Sequence, residues 1–137
     1  MPYHQGRLLD HVHLRVTDLE ASKRFYRAAL AALDLTESFG EGDGYFYADE
    51  LYVDRADTQP SRIHLAFQAK SKAAVERFHE AALKAGGLDN GPPGLRSYHT
   101  GYYAAFVLDP DRNNIEAVWH GPTTRSAASI SVERTPD

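Results

Sequence analysis

The chain has 137 residues, long enough for one domain with a real core. Its 42% hydrophobic and 25% charged residues are the balance of an ordinary globular protein rather than a disordered one. A net charge of −4 without any Lys/Arg run argues against a nucleic-acid surface, and no apolar run reaches membrane-spanning length.

Residues 10–16 alternate. Val12, Leu14 and Val16 form one apolar face, and His11, His13 and Arg15 form the other, the period of a half-buried strand. Thr17 or Asp18 then caps a helix, and Thr17 with Glu20 fits a capping box. Phe25, Tyr26, Ala29, Leu30 and Leu33 supply its buried stripe. Short strands are expected over 35–39, 45–48 and 51–54, with Gly40-Glu41-Gly42-Asp43-Gly44 as the turn between the first two. Residues 57–61, with Pro60, read as a hinge. The next strand turns Ile63, Leu65 and Phe67 inward and His64, Ala66 and Gln68 outward. Ser71 N-caps a second helix with the stripe Val75, Phe78, Ala82 and Leu83, and Gly86-Gly87 ends it. Residues 88–101 read as a long loop holding Gly91-Pro92-Pro93-Gly94. Strands over 102–108 and 114–120 flank the turn at residues 109–113, and residues 121–137 read as a loose polar tail.

The order strand, helix, several strands therefore occurs twice, and its residues match at a constant offset. His11 corresponds to His64, Arg24 to Arg77, Phe25 to Phe78, Ala28 to Ala81, Ala29 to Ala82 and Leu30 to Leu83. The expected architecture is an α+β single domain over 1–137, with one module at about 8–56 and the second at about 62–120. Helices would lie outside a curved, mostly antiparallel sheet whose concave side carries His11 and His64.

Duplicated modules pack about a pseudo-two-fold axis, where two such histidines can share a metal. On 114–120, Ile115, Ala117 and Trp119 fall on one face, and Glu116, Val118 and His120 on the other. Glu116 is thus a mid-strand carboxylate that needs compensation. Two imidazoles and a carboxylate match a facial triad with open positions. With no cysteine in the chain, any metal site must use His, Asp, Glu or Tyr. The absence of cysteine and of signal-peptide character at the start fits a cytoplasmic protein.

Three stretches carry a family resemblance. They are Leu9-Asp10-His11-Val12-His13-Leu14-Arg15-Val16-Thr17-Asp18-Leu19 running into Phe25-Tyr26, then Ile63-His64-Leu65-Ala66-Phe67, then Phe106-Val107-Leu108-Asp109-Pro110-Asp111 running into Ile115-Glu116. The chain resembles the vicinal oxygen chelate superfamily: glyoxalase I, extradiol ring-cleaving dioxygenases, fosfomycin-resistance enzymes and bleomycin-resistance proteins. The resemblance implies paired βαβββ modules and a divalent ion (Fe2+, Mn2+, Ni2+ or Zn2+) on His11, His64 and Glu116. It also implies a small oxygen-bearing substrate and a homodimer, with the site built either within a chain or across the interface. Glyoxalase I has a fourth ligand at a position that falls here at or near Tyr52, with Glu50 two residues away on the same strand face. Lack of a carboxylate at Tyr52 tilts the reading toward a three-ligand, dioxygenase-like site. The alternatives are a glyoxalase I-type lyase or isomerase and a metal-free binding protein. Arg112 stands where the family usually has Gly after Asp-Pro-Asp.

Other residues carry two readings each. His13, on the face of His11, is a cavity wall or an acid/base group. Tyr98, His99, Tyr102 and Tyr103 are a substrate lid or strand-edge aromatics, with His99 placed to move protons. His120, His4 and His79 read as surface residues.

Overall fold

The computed structural model describes residues 3–137, with side chains described from residue 6. In chain order the elements are β1 (Tyr3–Gln5), β2 (Val12–Val16), α1 (Leu19–Ala32), β3 (Gly40–Gly42), β4 (Tyr45–Ala48) and β5 (Leu51–Arg55), followed by β6 (His64–Gln68), α2 (Lys72–Lys84), β7 (Leu88–Leu95), β8 (Tyr103–Leu108), β9 (Asn114–Trp119) and β10 (Ile130–Val132). One sheet runs β2-β5-β4-β3 and the other β6-β9-β8-β7. The topology repeats: the first strand of each module lies parallel to its last, and the other pairs are antiparallel. The α+β arrangement of two tandem βαβββ modules is thus as the sequence implied. β2 and β6 are edge strands, so the two modules keep separate sheets, and a groove of about 910 Å³ is lined by residues of both modules, among them Val12, Leu51, Leu65 and Phe67.

Alternation decides which faces are covered. Leu14, Val16, Phe46 and Val53 from one sheet, and Val107, Ile115 and Ala117 from the other, are buried with Phe25 and Phe78 in one core. The two helices pack against each other within it. Burying a Phe side chain stabilises the fold by roughly 1.5–3 kcal/mol, and Phe25 and Phe78 hold equivalent places in the repeat, so the duplication built both halves of this core. Gly87 permits the close approach of the halves, since a Cβ there would stand 2.8 Å from the Phe25 ring. The histidine-bearing faces are left outside this core.

Four local expectations are corrected. Asp18, not Thr17, caps α1, its carboxylate accepting from the Ala21 amide at 3.1 Å. The Thr17 amide instead donates to Asp111 Oδ2 at 3.0 Å, so the Thr17–Glu20 capping box does not form. Residues 35–39 form no strand, with a turn at 37–38, and Gly40–Gly42 is the strand: the rings of Tyr47 and Tyr45 occupy the space where side chains at Gly40 and Gly42 would stand, 2.4 Å from each Cβ position. Residues 88–95 are an edge strand rather than loop. Its register shifts around Gly91 and Gly94, and its place at the sheet margin tolerates Pro92 and Pro93. The tail is anchored: β10 pairs with β1, and the Arg125 guanidinium donates to Gln68 Oε1 and, at 2.8 Å, to the Ala128 carbonyl.

The turn 109–113 ties the modules together. Asp109 is buried, its Oδ1 accepting from the amides of Asp111 and Asn113 and its Oδ2 from Tyr26 Oη at 2.5 Å. Burial, then the Asp109 charge, pushes the Tyr26 hydroxyl well above the usual tyrosine range. Arg112 has φ 68°, a left-handed conformation that costs a non-glycine residue on the order of 1 kcal/mol.

Candidate functional site

The uncovered face of the second sheet brings together His64, Glu116 and Tyr102. Register explains the meeting: Ala66 lies opposite Glu116, so His64 is one same-face step away along β6. His64 Nε2 donates to Glu116 Oε1 at 2.8 Å, and Tyr102 Oη donates to Oε2. The Glu116 side chain is only 2% exposed, whereas that of His64 is 54% exposed. A buried carboxylate is thus satisfied at both oxygens while one partner reaches solvent. Desolvation, then the bond to Glu116, raises the Tyr102 hydroxyl to about 12.

The other rings of this face gather around Tyr102. Tyr98, His99 and His120 stand edge-on to it, with centroids 4.9, 5.3 and 5.2 Å away. His99 Nδ1 faces the Thr100 carbonyl at 2.9 Å and must donate to it. His99 Nε2 therefore accepts from His120 Nδ1, 2.8 Å away. His99 thus touches the cluster through the face of Tyr102 and has no hydrogen bond to Glu116. His120 is exposed, as expected, but is partnered. His79 is not free on the surface either: its Nε2 lies 2.9 Å from Asp89 Oδ1, and that hydrogen bond is the main reason the Asp89 carboxyl sits below the usual range.

The first sheet presents its own face. His13 lies opposite Tyr52, and Arg15 opposite Asp54. His13 Nε2 donates to Asp54 Oδ1 at 2.7 Å, and its ring meets Tyr52 edge-on at 5.2 Å. Tyr45 stacks with Tyr52 at 5.5 Å and with Tyr47 at 6.4 Å. His11 is 65% exposed, with Nδ1 2.7 Å from Asp10 Oδ1. A hollow of about 480 Å³ is lined by His11, His13, Tyr47, Glu50 and Tyr52.

Of the three candidate ligands, then, His64 and Glu116 meet, and His11 stands just before β2 of the other sheet rather than on the strand. Among the described residues no three His, Asp or Glu side chains form a metal-binding group. Two atoms bonded to one ion at about 2.1 Å each, at right angles, stand ~3 Å apart. The 2.8 Å between His64 Nε2 and Glu116 Oε1 fits two neighbouring donors with the shared proton removed. The chain therefore brings two of the three candidate ligands together and holds the third apart.

Register also settles the equivalent of Glu116 in the first module. Ala66 faces Glu116, and His13, its counterpart, faces Tyr52. Asp54 and the Tyr102–Glu116 bond were not singled out from sequence. Asp54 was within reach, two residues from Tyr52 on the same strand face. Tyr102 precedes its strand, and only the fold brings its hydroxyl back to Glu116.

Residues 8–117 match the family model described as Glyoxalase/Bleomycin resistance protein/Dioxygenase superfamily. An uncharacterised protein of Bacillus subtilis (strain 168), YqjT, is 31% identical over 128 residues, covering 80% of this chain and 97% of that protein. A glyoxalase/bleomycin resistance protein from Albidiferax ferrireducens T118 has a similar structure, with TM-score 0.72 and 30% identity over 82% of this chain and 98% of that one. A glyoxalase-related enzyme from Fulvimarina pelagi shares the fold at TM-score 0.66 and 20% identity, covering 88% of this chain and 99% of that one. Among the described residues no helix is long and apolar enough to cross a membrane.

Proposed function

The chain belongs to the Glyoxalase/Bleomycin resistance protein/Dioxygenase superfamily, and from that premise we propose that it is a metal-dependent enzyme acting on a small oxygen-bearing organic substrate. The observation that carries this reading is the His64–Glu116 pair: 2.8 Å apart, one member buried, the other open to solvent. His64 and Glu116 would hold a divalent ion (Fe2+, Mn2+, Ni2+ or Zn2+) with His11 of a second copy, since the chain's own His11 stands just before β2 in the other module and forms no group with them. A symmetric homodimer forms two such shared sites at once. The edge positions of β2 and β6, and the histidine-bearing sheet faces outside the core, support this arrangement. Tyr52, standing where a fourth carboxylate would, favours three protein ligands and a dioxygenase-like site. Glu50, which shares the hollow with His11, is the residue through which a glyoxalase I-type site would form instead.

A bound ion would supply Lewis acidity to the substrate oxygens it holds. The chain's own groups orient and move protons. Tyr102 keeps its proton and fixes Glu116 Oε2. Asp54 holds the proton of His13 on Nε2, leaving Nδ1 as the acceptor for a substrate proton. Tyr98 and His99 wall the Tyr102 ring, and His99 Nε2 takes protons from His120 Nδ1 along their shared hydrogen bond.

One observation favours a second reading. Glu116 is satisfied by His64 and Tyr102 alone, as a metal-free binding protein of the bleomycin-resistance kind would require. Metal titration of chelator-treated protein separates the two, and mixed variants test the shared site. His11→Ala and His64→Ala proteins should each lose stoichiometric metal. After subunit exchange, the mixture should regain about a quarter of the wild-type sites, because each mixed dimer keeps one intact site. Wild-type binding without any regain on mixing would place the site within one chain. No binding of any of the four metals by wild type would leave the sequestration reading.

A further inference from the structure

Arg96 occupies a seat that the sequence reading treated as loop. Its Nη2 donates to the Pro92 carbonyl at 2.7 Å and its Nη1 to the Leu95 carbonyl at 3.4 Å. The guanidinium carbon lies 5.3 Å from the centre of the Phe106 ring. Two glycines make room for it. A Cβ on Gly91 would stand 3.2 Å from Nη2, and one on Gly94 would stand 3.1 Å from Nη1. β7 shifts register on both sides of Gly91, between it and Asp89 and between it and Gly94, so the irregular strand is shaped around the arginine. Arg96 is half-buried and, among the described residues, forms no ion pair. A guanidinium has five N–H donors in a planar fork, and the two carbonyls leave most of them unused. A partly desolvated cation without a counter-charge is an incomplete interaction.

Its position gives the missing partner a place. Phe106 lies opposite Glu116 on one side and Gly91 on the other, in one row across the sheet. The His64 ring stands 6.1 Å from the same Phe106 ring. Neighbouring strands are about 4.8 Å apart, so the Glu116 and Gly91 rows lie ~10 Å from each other. A ligand with one end at His64 and Glu116 therefore needs only a ring or a short chain to reach Arg96 with the other.

We propose that Arg96 is the anion-binding residue of this face, and that the substrate is an oxyanion-bearing small molecule whose carboxylate or phosphate pairs with Arg96 while its other oxygens meet His64 and Glu116. This rests on the reading that the uncovered face of the second module binds the substrate. The anion seat itself is present without metal.

The test is a titration of chelator-treated protein, followed by NMR of the arginine Nε–H signals, with benzoate, inorganic phosphate and the neutral isostere benzamide. Benzoate or phosphate should shift the Arg96 signal, and benzamide should not. Whichever anion binds tighter identifies the carboxylate or the phosphate class. Calorimetry should show Arg96→Gln binding that anion at least about tenfold more weakly, the loss expected for one charge-assisted pair. Arg96→Lys, which keeps the charge but not the fork, should fall between. Unchanged anion affinity in both variants, or benzamide binding as tightly as the tighter of the two anions, would overturn the proposal. Metal titration of Arg96→Gln keeps the two readings apart. If wild type binds the anion but no metal, the metal reading falls and the anion seat stands. If metal binds and the anion does not, the reverse holds.

Discussion

His13 and Ala66 hold equivalent places in equivalent strands, yet they face different chemistry. Opposite Ala66 is Glu116, buried and bonded at both oxygens. Opposite His13 is Tyr52, and the carboxylate of that sheet, Asp54, lies one same-face step further on, about a third exposed. The small Ala66 leaves room over Glu116 for His64 to reach it; in the other sheet His13 fills the corresponding space and takes Asp54 as its own partner. Duplication thus preserved the frame, the register and the core, while the two outer faces diverged into a buried glutamate–histidine pair on one side and a histidine–aspartate pair on an aromatic floor on the other. A site needing both kinds of group has to draw on both faces.

The sharpest way to break this division is to remove charge from each carboxylate in turn. Glu116→Gln keeps the shape and can still accept a proton from Tyr102, so the fold should survive. Metal affinity, measured by calorimetry, should drop more than about a hundredfold, since an amide is a poor ligand for these ions. Asp54→Asn should leave metal affinity within about threefold of wild type, because it contacts His13 rather than a ligand. Equal losses at the two positions would erase the distinction drawn here.

The two hairpin turns sharpen the same contrast at the level of stability. In the second module Asp109 is buried beneath Tyr26 of the first. In the first module Asp49 bonds only to Ser38, its neighbour in the fold's surface, at 2.6 Å. Tyr26→Phe leaves Asp109 short of a donor in the core and should cost about 1–3 kcal/mol in urea unfolding. Ser38→Ala should cost no more than about 0.5 kcal/mol. A reversed order would mean that the turn at 109–113 does not hold the modules together.

Much of this was legible in advance where periodicity and repetition act together. The helix stripes, Ser71 as a cap, the hinge and the pairing of His64 with Glu116 on one face follow from alternation and a constant offset. What escaped depends on tertiary neighbours. Gly40-Glu41-Gly42 looks like a turn until Tyr45 and Tyr47 are seen lying over it. Pro92-Pro93 looks like loop until the strand is known to be an edge. His11 was placed beside His64 by a symmetry argument, and a repeat specifies equivalent positions without saying whether the two copies meet within one chain. Arg96 could not be picked out at all, because its seat is made by two glycines and a ring from different strands.

The smallest effect concerns Tyr102, which gives the second face's carboxylate a phenolic donor beside its histidine. Its hydroxyl is raised to about 12, chiefly by desolvation and next by the bond to Glu116. An unfolded tyrosine ionises near 10, by the usual reference value of about 10. Between these values the unfolded chain has lost a proton that the folded chain still holds, so ν_U is smaller than ν_N and stability must fall as pH rises. The contribution is fully present below pH ~10 and is lost as pH climbs through the folded value. Tyr102→Phe should therefore flatten the alkaline limb of the stability curve, measured by urea unfolding with chelator present. Because Tyr26 is also raised, the limb should become shallower rather than disappear. If Tyr102→Phe gives the wild-type slope, the phenol is not held against Glu116 in solution, and the second face is less different from the first than its geometry implies.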